Sequence, residues 1–338
     1  MHRQSPASHF GWRTADRCPT AARVAQTGVR RVRFPRVRVL VAEGLLRSEL
    51  GELPADVELV AEPDDGVEFV VLGVDLMRRL PGLVAALPAV RVVQTVFAGA
   101  DMILPIAPPG VVVCTATGAH DIGVSEWVVM MILALSRRLD EFLDLQRTGR
   151  WERNVNSLTA TGPSPIAALA DLHGATVLIL GYGSIGRAVR ARLEPFGAHI
   201  VGVGRADRDA LPDLVPAADV IVVLLPLTPQ TERIVDAEFL ARCKPGALLI
   251  NAGRGRCVDT DALVAALHEG RVRAALDVTD PEPLPDGHAL WHAPGVLITP
   301  HVAGGVPRWQ ARAYRIAGDQ IRRTLAGEPL INVAGVGA

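Results

Sequence analysis

Residues 176–186 read Thr-Val-Leu-Ile-Leu-Gly-Tyr-Gly-Ser-Ile-Gly, an apolar run leading directly into G-x-G-x-x-G. The run has the unbroken apolar character of a strand covered on both faces, as strands of parallel sheets are. Gly181 permits the tight turn, Gly183 lets a bound group approach the backbone, and Gly186 lets a helix, expected to begin near Arg187, pack closely on the strand. Ser184 and Ile185 lead into that helix, whose N-terminus offers amides and the positive end of a dipole to phosphate. A second strand, His199–Gly204, follows at the distance that a βαβ unit requires. In this setting the motif predicts dinucleotide binding at Gly181, Gly183, Ser184, Ile185 and Gly186.

The rest of the chain extends the same α/β pattern. With 338 residues it exceeds the usual size of one domain. Before the motif, Val37–Ala42, Phe69–Gly73, Val90–Val96 and Gly110–Thr115 read as strands of a first parallel α/β unit. Asp121 is placed to cap a helix with its body at Glu126–Leu139, so apolar that it is expected to be buried between domains or subunits. Asn154–Pro165 is a connection. Thr176–Gly181, His199–Gly204, Val220–Leu225, Ala247–Asn251, Ala274–Asp277 and Val296–Thr299 then make six strands, enough for a complete dinucleotide-binding domain. The tail Pro307–Leu325 reads as a helix returning to the first unit. The expected division is a disordered extension at 1–35, a substrate domain at 36–119 plus 308–338, and a dinucleotide-binding domain at 120–307.

Charge and cysteine usage narrow the function classes. Residues 1–38 hold nine Arg and one Asp, and the remainder holds 26 basic and 35 acidic residues, a net charge of −9 that argues against a nucleic-acid surface. The longest apolar run, Trp127–Leu135, is far short of a membrane span. Cys18, Cys114, Cys243 and Cys257 are scattered, so neither a disulfide framework nor a metal site is expected, and the reading is cytoplasmic. Trp127, Trp151, Trp291 and Trp309 are read as packing residues.

Four further stretches carry chemistry. The second strand of the motif ends in Val203-Gly204-Arg205-Ala206-Asp207-Arg208, with glycine where a ribose-binding carboxylate belongs. Arg205 and Arg208 are suited to a 2′-phosphate, so NADP(H) is preferred and NAD(H) possible; the alternative is two solvated arginines. Asn251-Ala-Gly-Arg254-Gly, Asp277-Val-Thr-Asp-Pro-Glu282-Pro and Thr299-Pro-His301-Val-Ala-Gly follow or flank strands at the edge where open α/β sheets bind ligands. An arginine grips a substrate carboxylate and polarises the adjacent ketone, and a histidine gives a proton to the developing alkoxide. A paired carboxylate fixes the tautomer of that histidine.

With these motifs, and with Pro226-Leu-Thr-Pro-Gln-Thr231, the chain from about Arg38 onward resembles the D-isomer-specific 2-hydroxyacid dehydrogenase family. The resemblance implies two flavodoxin- or Rossmann-like domains with parallel sheets and the site in the cleft between them. It carries the family's catalytic Arg, Glu and His onto Arg254, Glu282 and His301. It assigns substrate-carboxylate binding to backbone amides around Val96, Phe97, Ala98 and Gly99, orientation of the nicotinamide carboxamide to Asp277, and lining of the cofactor site to Pro226. It further implies a homodimer joined through Asp121–Leu139, acting on a small 2-keto or 2-hydroxy acid, with glyoxylate or hydroxypyruvate reduction the first choice. Phosphite or other hydroxyacid oxidation on the same site, or a nucleotide-sensing corepressor-like protein, are the alternatives. Two departures stand out: Gly305-Val306-Pro307 follows His301 where many members have Ser or Thr, and His120 stands where Asn is frequent.

Overall fold

The apolar runs become short strands in a computed structural model that describes residues 36–41, 45–77, 80–83, 86–155, 158 and 160–337. The extension expected at 1–35 lies outside the described residues. The first sheet contains β1 (Val37–Leu40), β2 (Val57–Val60), β3 (Phe69–Leu72), β4 (Val92–Thr95), β5 (Val112–Cys114) and β12 (Val333–Val336), in the order β2-β1-β3-β4-β5-β12. The second contains β6 (Thr176–Leu180), β7 (His199–Val203), β8 (Val220–Val223), β9 (Ala247–Asn251), β10 (Val272–Leu276) and β11 (Val296–Ile298), in the order β7-β6-β8-β9-β10-β11. The first five strands of each sheet share the flavodoxin-like order 2-1-3-4-5.

The first sheet is not wholly parallel, because β12 runs antiparallel to β5. Nothing local marks β12, a four-residue run containing Gly335. It is held instead by Gln320, whose side chain donates to Ile331 O at 2.5 Å and accepts from Ile331 N at 3.0 Å. β2 is likewise absent from the strands the sequence marks; this half-buried edge strand is flanked by ion pairs from Glu58 to Arg36 and Arg38, at 3.3 and 3.4 Å.

Alternation along the strands divides each core into two layers. Val39, Phe69, Val71 and Val92 pack beneath Ala313, Tyr314, Ala317 and Ile321, while Leu40, Val70, Leu72 and Val93 face Leu76, Leu83 and Ile103. In the second sheet, Val177, Ile179, Val222 and Ile250 pack beneath Trp127, Val128, Met131 and Leu135 of α1 (Asp121–Ser136). Asp121 is not its cap. It is the first helical residue, preceded by His120, and its carboxylate accepts from the Ser184 hydroxyl. The expected helix body also breaks: α1 ends at Ser136, Arg138 takes φ 55°, and α2 (Leu139–Arg147) starts afresh. Arg273 holds this corner, donating to Leu135 O at 2.5 Å and to both Asp140 oxygens at 2.7 Å.

The helix after the glycine loop, α3 (Ser184–Leu193), begins three residues earlier than expected. α4 (Thr260–His268) follows β9, and α5 (Trp309–Ala326) ends on Gly327 at φ 66°, as a helix stop requires. Trp127 is buried, but Trp151 is 83% exposed and so is not the packing residue it was read as; Trp291 is 46% exposed. No helix among the described residues is long and apolar enough to cross a membrane.

Candidate active site

At the carboxyl end of β9 the chain turns through Asn251, whose side chain accepts from Gly253 N and donates to Arg254 O, both at 3.1 Å. A methyl group on Gly255 would lie 1.8 Å from Thr279 O, so glycine is required where the two loops meet. Arg254 between them is extended, and its guanidinium reaches a loop of the first sheet. Nε and Nη2 donate to the two oxygens of Asp101 at 3.2 and 2.9 Å, and Nη1 donates to Gly253 O at 2.8 Å. Of the five guanidinium N–H bonds, one on each Nη is left for a ligand. Burial pushes the Asp101 carboxyl up, but hydrogen bonding and charge from Arg254 more than reverse this and hold it below the usual carboxylate range.

His301 and Glu282 meet across loops from neighbouring strands, with Nδ1 and Oε1 2.6 Å apart. His301 has φ 52°, a left-handed conformation that a non-glycine residue holds only when its surroundings impose it. Asp277 imposes it here. Its buried carboxylate accepts from Thr299 Oγ1 at 2.6 Å and from Val302 N and Ala303 N at 2.9 Å, and its carbonyl accepts from His301 N at 2.8 Å.

The loop after β4 approaches Arg254 from the opposite side. A methyl on Gly99 would lie 2.1 Å from Arg254 Nη2, so glycine leaves room for the guanidinium. The structure corrects which amides of this loop are available: Val96 N donates to Leu72 O and Phe97 N to Thr95 Oγ1. Ala98 N and Gly99 N donate to no acceptor among the described residues. Behind them, His120 packs on Trp309 with ring centroids 4.7 Å apart, and Phe97 lies 6.0 Å from the same ring. Burial lowers the His120 pKa below that of a free imidazole, which favours the neutral ring.

The glycine loop fits a dinucleotide. Gly181 has φ 93°, and a methyl there would lie 2.6 Å from Leu224 O; a methyl on Gly183 would meet nothing within 4 Å, which leaves its outer face open. Among the described residues the amides of Ser184, Ile185 and Gly186 lack acceptors, as expected at a helix start. The Ser184 hydroxyl is engaged by Asp121, so Ser184 offers its N–H. Pro226 heads an exposed loop knit by Thr231 Oγ1, which donates to Pro226 O at 2.6 Å. Arg205 and Arg208 are exposed on a short turn at Arg205–Ala210 and form no ion pair among the described residues. Asp101 is the site residue to which sequence reasoning assigned no role. Its one local signal is an acid two positions after Gly99, and its partner is 153 residues away.

Fold and site together define an enzyme of two α/β domains, with a glycine-loop dinucleotide site in one and a polar site reached from both. A family model for the D-isomer specific 2-hydroxyacid dehydrogenase NAD binding domain matches residues 129–303. The chain is 34% identical over 258 residues to a glyoxylate reductase of Thermofilum pendens, covering 72% of this chain and 74% of that protein. It is equally identical, at 34%, to a D-3-phosphoglycerate dehydrogenase of Mycobacterium leprae, but covers only 47% of that protein. Among solved structures, a D-isomer specific 2-hydroxyacid dehydrogenase from Xanthobacter autotrophicus Py2, in complex with NADPH and MES, superposes with TM-score 0.72 at 28% identity, covering 88% of this chain and 98% of that one. An NADPH-dependent glyoxylate/hydroxypyruvate reductase from Sinorhizobium meliloti, in complex with NADP and sulfate, gives TM-score 0.72 at 26% identity with the same coverages. The chain belongs to the D-isomer specific 2-hydroxyacid dehydrogenase family, and is thus an NAD(P)-dependent oxidoreductase acting on CH–OH groups.

Proposed function

We propose that this enzyme reduces small 2-keto acids, glyoxylate or hydroxypyruvate first among them, to D-2-hydroxy acids, with NADPH preferred. The observation that carries the reading is the convergence of Arg254, with one N–H free on each Nη, on a loop with two unused amides at Ala98 and Gly99. Such a set of donors suits a carboxylate beside a ketone. Arg254 anchors the acid and polarises the carbonyl. Glu282 occupies Nδ1 of His301, which leaves Nε2 to deliver the proton to the developing alkoxide. Asp277 keeps that ring in place through the backbone it binds. The nicotinamide cofactor, when bound, supplies the hydride; the amides of Ser184, Ile185 and Gly186 would hold its pyrophosphate, Pro226 its flank, and Arg205 and Arg208 a 2′-phosphate. The glyoxylate reductase and NADPH-dependent reductase similarities support the choice of substrate and cofactor.

The same reading takes 36–119 with 308–338 as the substrate domain, 120–307 as the cofactor domain, and the cytoplasm as the compartment. It takes the protein as a homodimer. An open groove of about 650 Å³ supports a second copy; it is lined by Val129, Met130, Leu133 and Leu139, within the stretch that family resemblance assigned to the interface, and by Phe196 beyond it.

A panel of 2-keto acids, each assayed with NADPH and NADH, tests the function. The expected result is highest kcat/KM on glyoxylate or hydroxypyruvate with NADPH. Cofactor binding without turnover of any keto acid would overturn it in favour of a nucleotide sensor, and turnover of phosphite alone would replace the substrate class.

A further inference from the structure

We propose that Asp207 sets how strongly this enzyme discriminates between NADPH and NADH, by supplying from three residues downstream the carboxylate that Gly204 lacks. In dinucleotide-binding folds an acid at the end of the second strand accepts hydrogen bonds from the adenosine ribose hydroxyls, and it repels a 2′-phosphate. Residue 204 holds that position here, beside the glycine loop, and has no side chain. The structure fills the gap another way. Asp207 Oδ2 accepts from Gly204 N at 2.9 Å, and a methyl built on Gly204 would lie 3.4 Å from that same oxygen. The charge therefore rests in van der Waals contact with the first side-chain position of residue 204.

Three observations make this more than a turn closing on itself. Asp207 is flanked in sequence by Arg205 and Arg208 yet pairs with neither, so the carboxylate is held by backbone and the two cations remain unneutralised. Its second oxygen, Oδ1, has no partner among the described residues and stays available to a hydroxyl. The strand end is also tied to the phosphate loop, since Val203 O accepts from Gly181 N at 3.0 Å and Tyr182 N at 3.2 Å. The acid thus keeps a fixed place relative to any dinucleotide on Gly181–Gly186. One face accordingly carries two opposed determinants: Arg205 and Arg208 attract a 2′-phosphate, and Asp207 accepts from a free 2′-hydroxyl and repels the phosphate. Asp207 is what keeps NADH usable.

This rests on the reading that places Arg205 and Arg208 at the 2′-phosphate, and two variant series separate the claims. Asp207→Asn retains an oxygen for the Gly204 N–H but removes the charge, so a role confined to closing the turn survives it. Titration calorimetry of the full chain with NADH and with NADPH at low salt is expected to show the affinity ratio moving about tenfold toward NADPH, the size of one charge-assisted contact. The ratio of kcat/KM values should move with it. An affinity ratio within twofold of wild type would overturn the proposal. Asp207→Ser, which also closes the turn, provides the same comparison if the amide variant folds poorly. Arg205→Ala with Arg208→Ala tests the other claim: unchanged NADPH affinity there would remove the arginines from the phosphate site, while the Asp207 variants are still judged by their own ratio.

Discussion

Arg254 works through where its five N–H bonds point, and Gly99 leaves the space in which they point. A methyl on Gly99 collides with Nη2, the far end of a flexible side chain, whereas a methyl on Gly255 collides with the backbone carbonyl of Thr279. The two alanine variants should therefore separate. Gly99→Ala is expected to fold with only a small loss of stability, because the methyl crowds both Arg254 Nη2 and Asp101 Oδ1 and weakens their pair, but to lose about 10- to 100-fold in kcat/KM for the keto acid as the guanidinium is displaced from its ligand, the scale of one or two charge-assisted contacts. Gly255→Ala should lose roughly 1–3 kcal/mol of stability by overpacking. A Gly99→Ala enzyme with wild-type kcat/KM would show that the guanidinium has room elsewhere and that Gly99 is not tuned to it.

The Asp101–Arg254 pair is also where two elements meet, the loop after β4 and the loop after β9. Folding favours ionised Asp101, since its folded pKa lies below the unfolded value of about 3.9. The contribution is complete above that value and is lost as pH falls through the lower folded pKa. Asp101→Asn should therefore lower Tm at pH 6–7, and the deficit should shrink as pH drops toward 3; a deficit that stays constant over that range would show that packing is lost and not charge. At this scale the sequence was a good guide wherever a signal was local. The glycine loop, the six strands of the second sheet and the three polar turns all lie within a few residues of a run or a motif, and all are found. β12 has no local signal because its partner β5 lies far back along the chain, β2 has none because an edge strand half-buried along its whole length shows neither an unbroken apolar run nor alternation, and the break at Arg138 has none because nothing in an apolar helix marks a left-handed residue. The amides of Val96 and Phe97, expected to bind the substrate, are engaged within the protein, which goes unmarked for a related reason. Which N–H is free depends on what Leu72 and Thr95 accept, and the loop sequence does not show it.

For the whole molecule, the face of α1 that does not cover the second sheet is left open. Met130 is 51% and Phe196 42% exposed, in a groove between α1 and α3. If a second copy covers it, Met130→Glu with Leu133→Asp should convert a dimer into a monomer by sedimentation velocity while the far-ultraviolet spectrum stays that of the folded chain. An unchanged sedimentation coefficient would exclude this groove as the contact. The return of the tail to the first sheet has a consequence for how the protein is made. Val39, Val71 and Val92, all 0% exposed, are covered by Ala313, Ala317 and Ile321, and Thr115 waits for Asn332, a separation of 217 positions. On a ribosome adding about 5–20 residues per second, that is roughly 10–40 s during which β1, β3 and β4 have left the exit tunnel without their cover. The second sheet closes at Val296–Ile298, before α5 has emerged. The half of the protein synthesised first is thus the half completed last, and through that interval its bare valine strands are the natural substrate for a chaperone.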